Sequence, residues 1–142
     1  MGRMIAAGLI GAGAKVYITS RKREVSEAAA LELAQGGACV GLAADLTTPE
    51  AVAALVNEIK AREPKLNILI NNAGRTWGAP LEAFPDKAWA GVMAVNVQAP
   101  FTLVRELLPL LVAGAPVYAA PPAPGVPAVN IWSVGIVAGP IT

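Results

Sequence analysis

Histidine is absent from the 142-residue chain, which excludes His-dependent triads, His–zinc sites and a histidine general base. The one cysteine, Cys39, cannot close an intramolecular disulfide or form a CxxC pair. It reads as a small buried apolar residue in a protein of a reducing, cytoplasmic compartment. Charge is scarce as well: 15% of residues are charged, against a usual ~25%. Eleven basic and ten acidic residues leave a net charge of +1, and no one-sign block is longer than Arg21-Lys22-Arg23. An electrostatic footprint for nucleic acid is therefore missing. Long unbroken apolar runs are missing too. Arg3 and Lys15 bracket a stretch too short for a secretory signal. Leu107 to Thr142 carries no formal charge, but Pro109, Pro116, Pro121, Pro122, Pro124, Pro127 and Pro140 interrupt it, so no window of ~20 apolar residues survives. That region reads as a loop leading into a buried strand, and no membrane partner is expected.

What is present is a chain that is 55% hydrophobic, too apolar for disorder, and of a length that suits one core. Arg3 to Ile10 reads as a helix closed by Gly11-Ala12-Gly13. Lys15 to Ser20 (KVYITS) is β-branched and aromatic, a strand. Glu24 to Gln35 is rich in Ala, Glu and Leu and stops at Gly36-Gly37, a helix. Cys39 to Ala43 is a second strand. Thr48-Pro49-Glu50 opens a helix with threonine as N-cap and proline at its first position, and Val52, Leu55, Val56 and Ile59 follow the spacing of one buried face. Leu66 to Ile70 (LNILI) is a third strand. Asp86 to about Leu111 is a long helix, bent near Pro100. Ala128 to Val134 is a fourth strand after a Pro/Ala-rich loop. Alternation of strands and helices, with a strand apolar on both faces, predicts an α/β fold: a doubly wound parallel sheet flanked by helices, in one domain spanning 1–142.

Three stretches carry chemistry. Gly8 to Gly13 begins like a phosphate loop, but Val16 stands where the third glycine belongs and a helix precedes it, so a helix cap and turn is the better reading. Asn71-Asn72-Ala73-Gly74 follows a buried strand, where ligands of parallel sheets gather, and its small residues allow close backbone approach, although a simple turn has the same composition. Arg21 and Lys22 follow the KVYITS strand. A guanidinium beside Ser20 suits a ribose 2′-phosphate, and a solvated charge cluster fits equally well. Asp45 ends the next strand region and could instead cap the helix begun by Pro49.

Ser20-Arg21-Lys22, Asp45-Leu46, Asn71-Asn72-Ala73-Gly74, Asn96-Val97 and Asn130-Ile131-Trp132-Ser133 together resemble, in order and spacing, the short-chain dehydrogenase/reductase family. The resemblance implies a Rossmann-like fold and an NADP cofactor. Gly2 resembles the final glycine of the family's TGxxxGxG loop. Ser20, Arg21 and Lys22 resemble the selector for NADP over NAD. Asp45 and Leu46 would flank adenine, and Asn72, Ala73 and Gly74 would line the middle of the cofactor. Asn96 resembles the catalytic asparagine that supports a proton relay, and Ser133 the serine that polarises a substrate carbonyl. The Thr76-Trp77-Gly78-Ala79-Pro80 stretch looks most like the 3-oxoacyl reductases. Family relatives associate through the helix around Asn96, which implies an oligomer.

Two departures limit the resemblance. No YxxxK pair follows Ser133, and that pair carries the family's general acid; Tyr17 and Tyr118 lie in the wrong places. Only Gly2 stands for the phosphate loop, and the family's first strand, central in the sheet, has no counterpart. The KVYITS and LNILI strands are therefore expected to flank a gap, where unpaired buried groups cost about 1–3 kcal/mol each against a stability of ~5–15 kcal/mol. The expectation is a fragment of an NADP(H)-dependent oxidoreductase acting on a small carbonyl or alcohol substrate, inactive as it stands. The alternatives are a non-catalytic nucleotide-binding module and a chain completed by a partner.

Overall fold

Residues 1–115 and 137–141 are described by the structure, a computed structural model. Its elements follow the sequence closely as far as residue 115. Helix α1 (Gly2–Gly11) leads into strand β1 (Ala14–Ser20), helix α2 (Arg23–Leu33) into strand β2 (Cys39–Ala43), and helix α3 (Pro49–Arg62) into strand β3 (Ile68–Leu69). Gly13 makes the α1–β1 turn with φ +88°, a conformation that costs a side-chain-bearing residue energy. Thr48 is the N-cap expected for α3: its Oγ1 accepts from the Ala51 N–H at 3.3 Å. Asp45 is therefore not that cap.

Helix α4 (Asp86–Met93), a π-helical turn (Ala94–Gln98) and helix α5 (Ala99–Gly114) run on as one rod of 29 residues. The irregularity expected near Pro100 takes the form of that π turn, next to a residue that cannot donate a helical hydrogen bond. Among the described residues this rod is the one helix with the length and apolarity to cross a membrane. Part of that apolarity is spent in the core, through Ala99, Leu103 and Leu107.

The sheet is where the structure departs from expectation. Strand order is β2-β1-β4-β3, with β4 formed by Val137–Ile141. β1 pairs β2 in parallel, Val16 opposite Cys39 through Ser20 opposite Ala43. β4 runs antiparallel to both β1 and β3, pairing Val137 with Tyr17 and Leu69 and Ala138 with Val16 and Ile68. β1, β2 and β3 thus share one direction, as a doubly wound sheet requires. The expected gap between β1 and β3 is occupied: β4 pairs with Ala14, Val16 and Tyr17 of β1 and with both residues of β3. β3 is shorter than the Leu66–Ile70 expected, because β4 meets it over two residues. The strand expected at Ala128–Val134 lies outside the described residues.

Helices cover both faces. On one, Tyr17 and Leu42 pack with Val52, Leu55, Val56 and Ile59 of α3 and with Leu103 and Leu107 of α5. On the other, Ala6 and Ile10 of α1 pack against Ala14 and Val16, with Cys39 half-buried beside them. Between α2 and β2 the backbones approach so closely that a Cβ on Gly41 would stand 2.4 Å from the Ser26 carbonyl carbon.

One ionised group is buried in this core. Glu63, just past α3, accepts hydrogen bonds from Lys15 Nζ at 2.6 Å and Tyr17 OH at 2.5 Å. Burial alone would push its carboxyl up, but those two donors and the lysine charge more than offset this and hold it below the ordinary value. The same contact to Glu63 raises Lys15.

Two outcomes follow. A carboxyl depressed in the folded state stabilises the protein above its unfolded value and loses that contribution as pH falls through the folded one. Glu63→Gln is expected to lower stability at pH 7 by about 1–3 kcal/mol and to flatten the acid side of the stability–pH curve below pH ~4.5. Chemical denaturation between pH 3 and 8 checks both effects. Deleting residues 137–142 uncovers β1 and β3 and is expected to abolish the cooperative thermal transition, read by circular dichroism.

Candidate nucleotide site at the carboxyl ends of the strands

β1, β2 and β3 all end on the same side, and the segments that follow them enclose a cleft of about 520 Å³. Thr19, Ser20 and Arg21 come from β1, Ala44 to Thr47 from the end of β2, and Ala73 to Trp77 from the segment after β3, with Val95 of the π turn beneath. A second hollow, about 230 Å³, adjoins it through Thr19 and Ser20 and is lined by Gly2, Arg3, Ser26 and Asn72. The two form a trough running from the N-terminus of α1 to Asp45.

The structure therefore brings together Gly2, Ser20, Arg21, Asp45, Leu46, Asn72, Ala73 and Gly74. Gly2 sits so close to the Asn71–Gly74 turn that a Cβ there would meet Asn72 Nδ2 at 2.9 Å. Ser20 Oγ accepts from the Lys22 N–H at 3.4 Å. Lys22 itself is the N-cap residue of α2, exposed and outside the lining of the trough. Arg21 is exposed at the rim and has no ion pair among the described residues. Across from it, Asp45 Oδ1 accepts from the Thr47 N–H at 3.0 Å and from Thr47 Oγ1 at 2.7 Å. Those two bonds chiefly, with Arg21 and Arg75 adding charge, hold the Asp45 carboxyl below its ordinary value. Leu46 is half-buried against the core.

Asn96 lies in the π turn, and its carboxamide clamps the loop after β3. Its Oδ1 accepts from the Arg75 N–H and its Nδ2 donates to the Arg75 carbonyl, both at 2.9 Å. Both ends of the side chain are thereby engaged. The main-chain carbonyl of Asn96 is in a different position: its α-helical donor would be residue 100, a proline without an N–H. Pro100 thus removes the α-helical donor that this carbonyl would otherwise have. Ser133 lies outside the described residues.

Sequence reasoning missed Arg75 and Thr47. Thr47 was legible, because Asp-x-Thr is the spacing of an Asx turn. Arg75 had only its position after the turn to mark it.

Comparison with known proteins identifies the family. Residues 1–117 match the short chain dehydrogenase family model. The chain belongs to that family. It is 40% identical over 111 residues to the rhamnolipids biosynthesis 3-oxoacyl-[acyl-carrier-protein] reductase of Pseudomonas aeruginosa, covering 78% of this chain and 43% of the relative. Among solved structures, it superposes on the Pseudomonas aeruginosa RhlG/NADP active-site complex with TM-score 0.78 and 40% identity, covering 82% of this chain and 45% of that one. A metagenomic short-chain oxidoreductase in complex with NADP gives TM-score 0.73 at 36% identity, with coverages of 79% and 51%. NADP is thus the cofactor bound by this family's neighbours, and the fold is the family's Rossmann-like one. The chain spans less than half the length of the curated relatives it matches.

The clamp gives a direct test. Asn96→Ala removes two hydrogen bonds, each worth about 0.5–1.5 kcal/mol net. It is expected to lower stability by about 1–3 kcal/mol and to speed amide exchange in the segment 73–77 well before the core, as hydrogen-exchange mass spectrometry would show. Uniform exchange along the chain would refute the clamp.

Proposed function

We propose that this chain carries the nucleotide-binding part of an NADP(H)-dependent short-chain oxidoreductase, one that moves a hydride between nicotinamide and a small carbonyl or alcohol substrate. The observation that carries the reading is Arg21: a guanidinium without an ion pair among the described residues, at the end of β1, on a trough that also holds Ser20, Asp45 and the Asn72-Ala73-Gly74 turn. A forked, permanently charged donor in that place suits a ribose 2′-phosphate. Arg21, with Ser20, selects the phosphate, and Lys22 adds positive charge beside the trough. Asp45 and Leu46 flank the base, and Gly2, Asn72, Ala73 and Gly74 admit the cofactor's backbone closely.

The bound dinucleotide would supply the hydride chemistry. Asn96 has two tasks in this reading. Its carboxamide fixes the loop, and its main-chain carbonyl offers a water the acceptor that a proton relay needs. Ser133 polarises the substrate carbonyl. No tyrosine or lysine follows Ser133 in the 142 residues, so these residues themselves supply no candidate for the general acid. Half-buried Cys39, with burial raising its thiol, fits a reducing cytoplasm.

A second copy is the partner we infer. Trp89, Met93, Val97, Phe101, Leu108 and Val112 are all exposed and fall at helical spacing along the rod containing Asn96. A stripe of that extent on one face suits packing against its own counterpart.

A thermal melt of the purified chain tests the main reading. NADP⁺ at a hundredfold excess over its dissociation constant raises stability by about 2.7 kcal/mol, and Arg21→Ala is expected to remove most of the preference over NAD⁺. An unshifted midpoint with both nucleotides counts against the reading. For the stripe, Phe101→Glu is expected to turn a dimer into a monomer by light scattering.

A further inference from the structure

Gly91 is a glycine without a conformational reason. It lies inside α4, and it is neither the C-cap, which is Ala94, nor a residue of positive φ. Glycine at such a position weakens a helix relative to alanine. The space around it supplies the reason: a Cβ there would stand 2.9 Å from Arg75 Cζ and from Nη1, and 3.3 Å from Nε. The guanidinium lies face-on against the bare backbone of the helix. Gly41 and Gly114 also leave no room for a side chain, but they meet the Ser26 and Leu66 carbonyls and so set how whole elements pack. Of the three, Gly91 alone meets a side chain that lines the cleft.

Arg75 is therefore tied to the rod at two points. Asn96 fixes its N–H and its carbonyl at 2.9 Å each, and Gly91, earlier on the same rod, receives its side chain. One anchor through the backbone and one through the side chain restrain both the place and the direction of the loop. The segment so held carries Gly74, Thr76 and Trp77, which with Arg75 line the cleft on the side that follows β3. A wall fixed beforehand has already given up the freedom that binding would otherwise take from it.

We infer that Gly91 is a positioning residue of the cleft: it seats the Arg75 guanidinium on α4 and so sets the wall formed by residues 74–77 before a ligand enters. Arg75 is the arm of this seat, not a ligand-binding group. The consequence for nucleotide affinity rests on the nucleotide reading above, and the consequence for the loop does not. Any side chain at position 91 has to push the guanidinium aside. The guanidinium is the far end of a flexible side chain, so it moves without disturbing the fold. Replacing Gly91 therefore releases the loop and leaves the core in place.

Gly91→Ala in the full 142-residue chain sets two effects in opposite directions. Alanine favours the helix, so the melting midpoint is expected to hold or rise. The displaced guanidinium is expected to speed amide exchange in the segment 73–77 and to weaken NADP⁺ about fivefold by calorimetric titration. In an Arg75→Ala background the added methyl has nothing to displace, and Gly91→Ala is expected to change exchange and affinity by less than about twofold. A glycine needed only for the fold would show no such dependence on Arg75. Arg75→Ala alone leaves α4 untouched and is expected to release the same segment; unchanged exchange there overturns the inference even where Gly91→Ala fails to fold. Unchanged exchange in Gly91→Ala overturns it too, as does an equal effect of that substitution with and without Arg75. Faster exchange with unchanged NADP⁺ affinity overturns the positioning role. A wild type that binds no NADP⁺, while the exchange results hold, overturns the nucleotide reading and bears out the seat.

Discussion

Strands β1 and β3 share a direction and a layer, but they do not pair with each other. Ala14, Val16 and Tyr17 of β1 and both residues of β3 find partners on their facing edges only because β4 lies between them. Everything at the site hangs from that arrangement. Arg21 continues β1, the Asn72–Gly74 turn continues the segment of β3, and the width of the trough is the separation that one intervening strand imposes, roughly two strand spacings of about 4.8 Å each. An antiparallel occupant satisfies this spacing as well as a parallel one, because inter-strand distance is nearly the same in both ladders. The direction of β4 therefore leaves the geometry of the neighbouring strand ends unaltered, and the family's layout survives in a sheet of mixed sense.

The second constraint is the junction of the long rod with the loop after β3. A regular helix would satisfy the Asn96 carbonyl and give no particular reason for a clamp. Pro100 prevents the first, and the π turn carries Asn96 to where its carboxamide meets both polar groups of Arg75. The loop in turn places Gly74 within 3.9 Å, measured from an ideal Cβ, of the Asn96 side chain. A sheet end, a loop and a helix interruption are thus tied by one residue. Irregular helical turns are frequent at functional sites. Here the irregularity has an identifiable cause in the sequence.

How much of this was legible depends on whether the signal was local. Thr48-Pro49 marks a helix start by the residues' own chemistry, and Val52, Leu55, Val56 and Ile59 mark its buried face by spacing alone; all four are buried. Cys39 to Ala43 is a run of short apolar residues between glycines and a helix, and its limits were read to the residue. β4 had no such marks. Val-Ala-Gly-Pro-Ile holds the two residues most often excluded from strand interiors, so nothing local points to a strand. Its pairing is a long-range fact, settled by two other strands that need a neighbour. The site divides in the same way. Arg21, Asp45 and the Asn-Asn-Ala-Gly turn stood out through composition and place after a strand. Arg75 did not, because its clamp is built by a residue 21 positions on.

Burial of charge separates the two ends of the sheet in a way that bears on function. At the amino end of β1, Lys15 and Glu63 neutralise one another and Tyr17 adds a donor, so the cluster is complete and stabilises the fold. At the carboxyl end, Arg21 and Arg75 share the charge of one carboxylate, Asp45, which also accepts two hydrogen bonds from Thr47. The first end is balanced, and the second holds two guanidiniums to one carboxylate. An arginine that completes an internal network contributes to stability. One held in position without a counter-ion contributes nothing until an anion arrives, and its cost is repaid by that anion. The asymmetry leaves an excess of positive charge at the carboxyl ends of the strands, on the side where the trough is found.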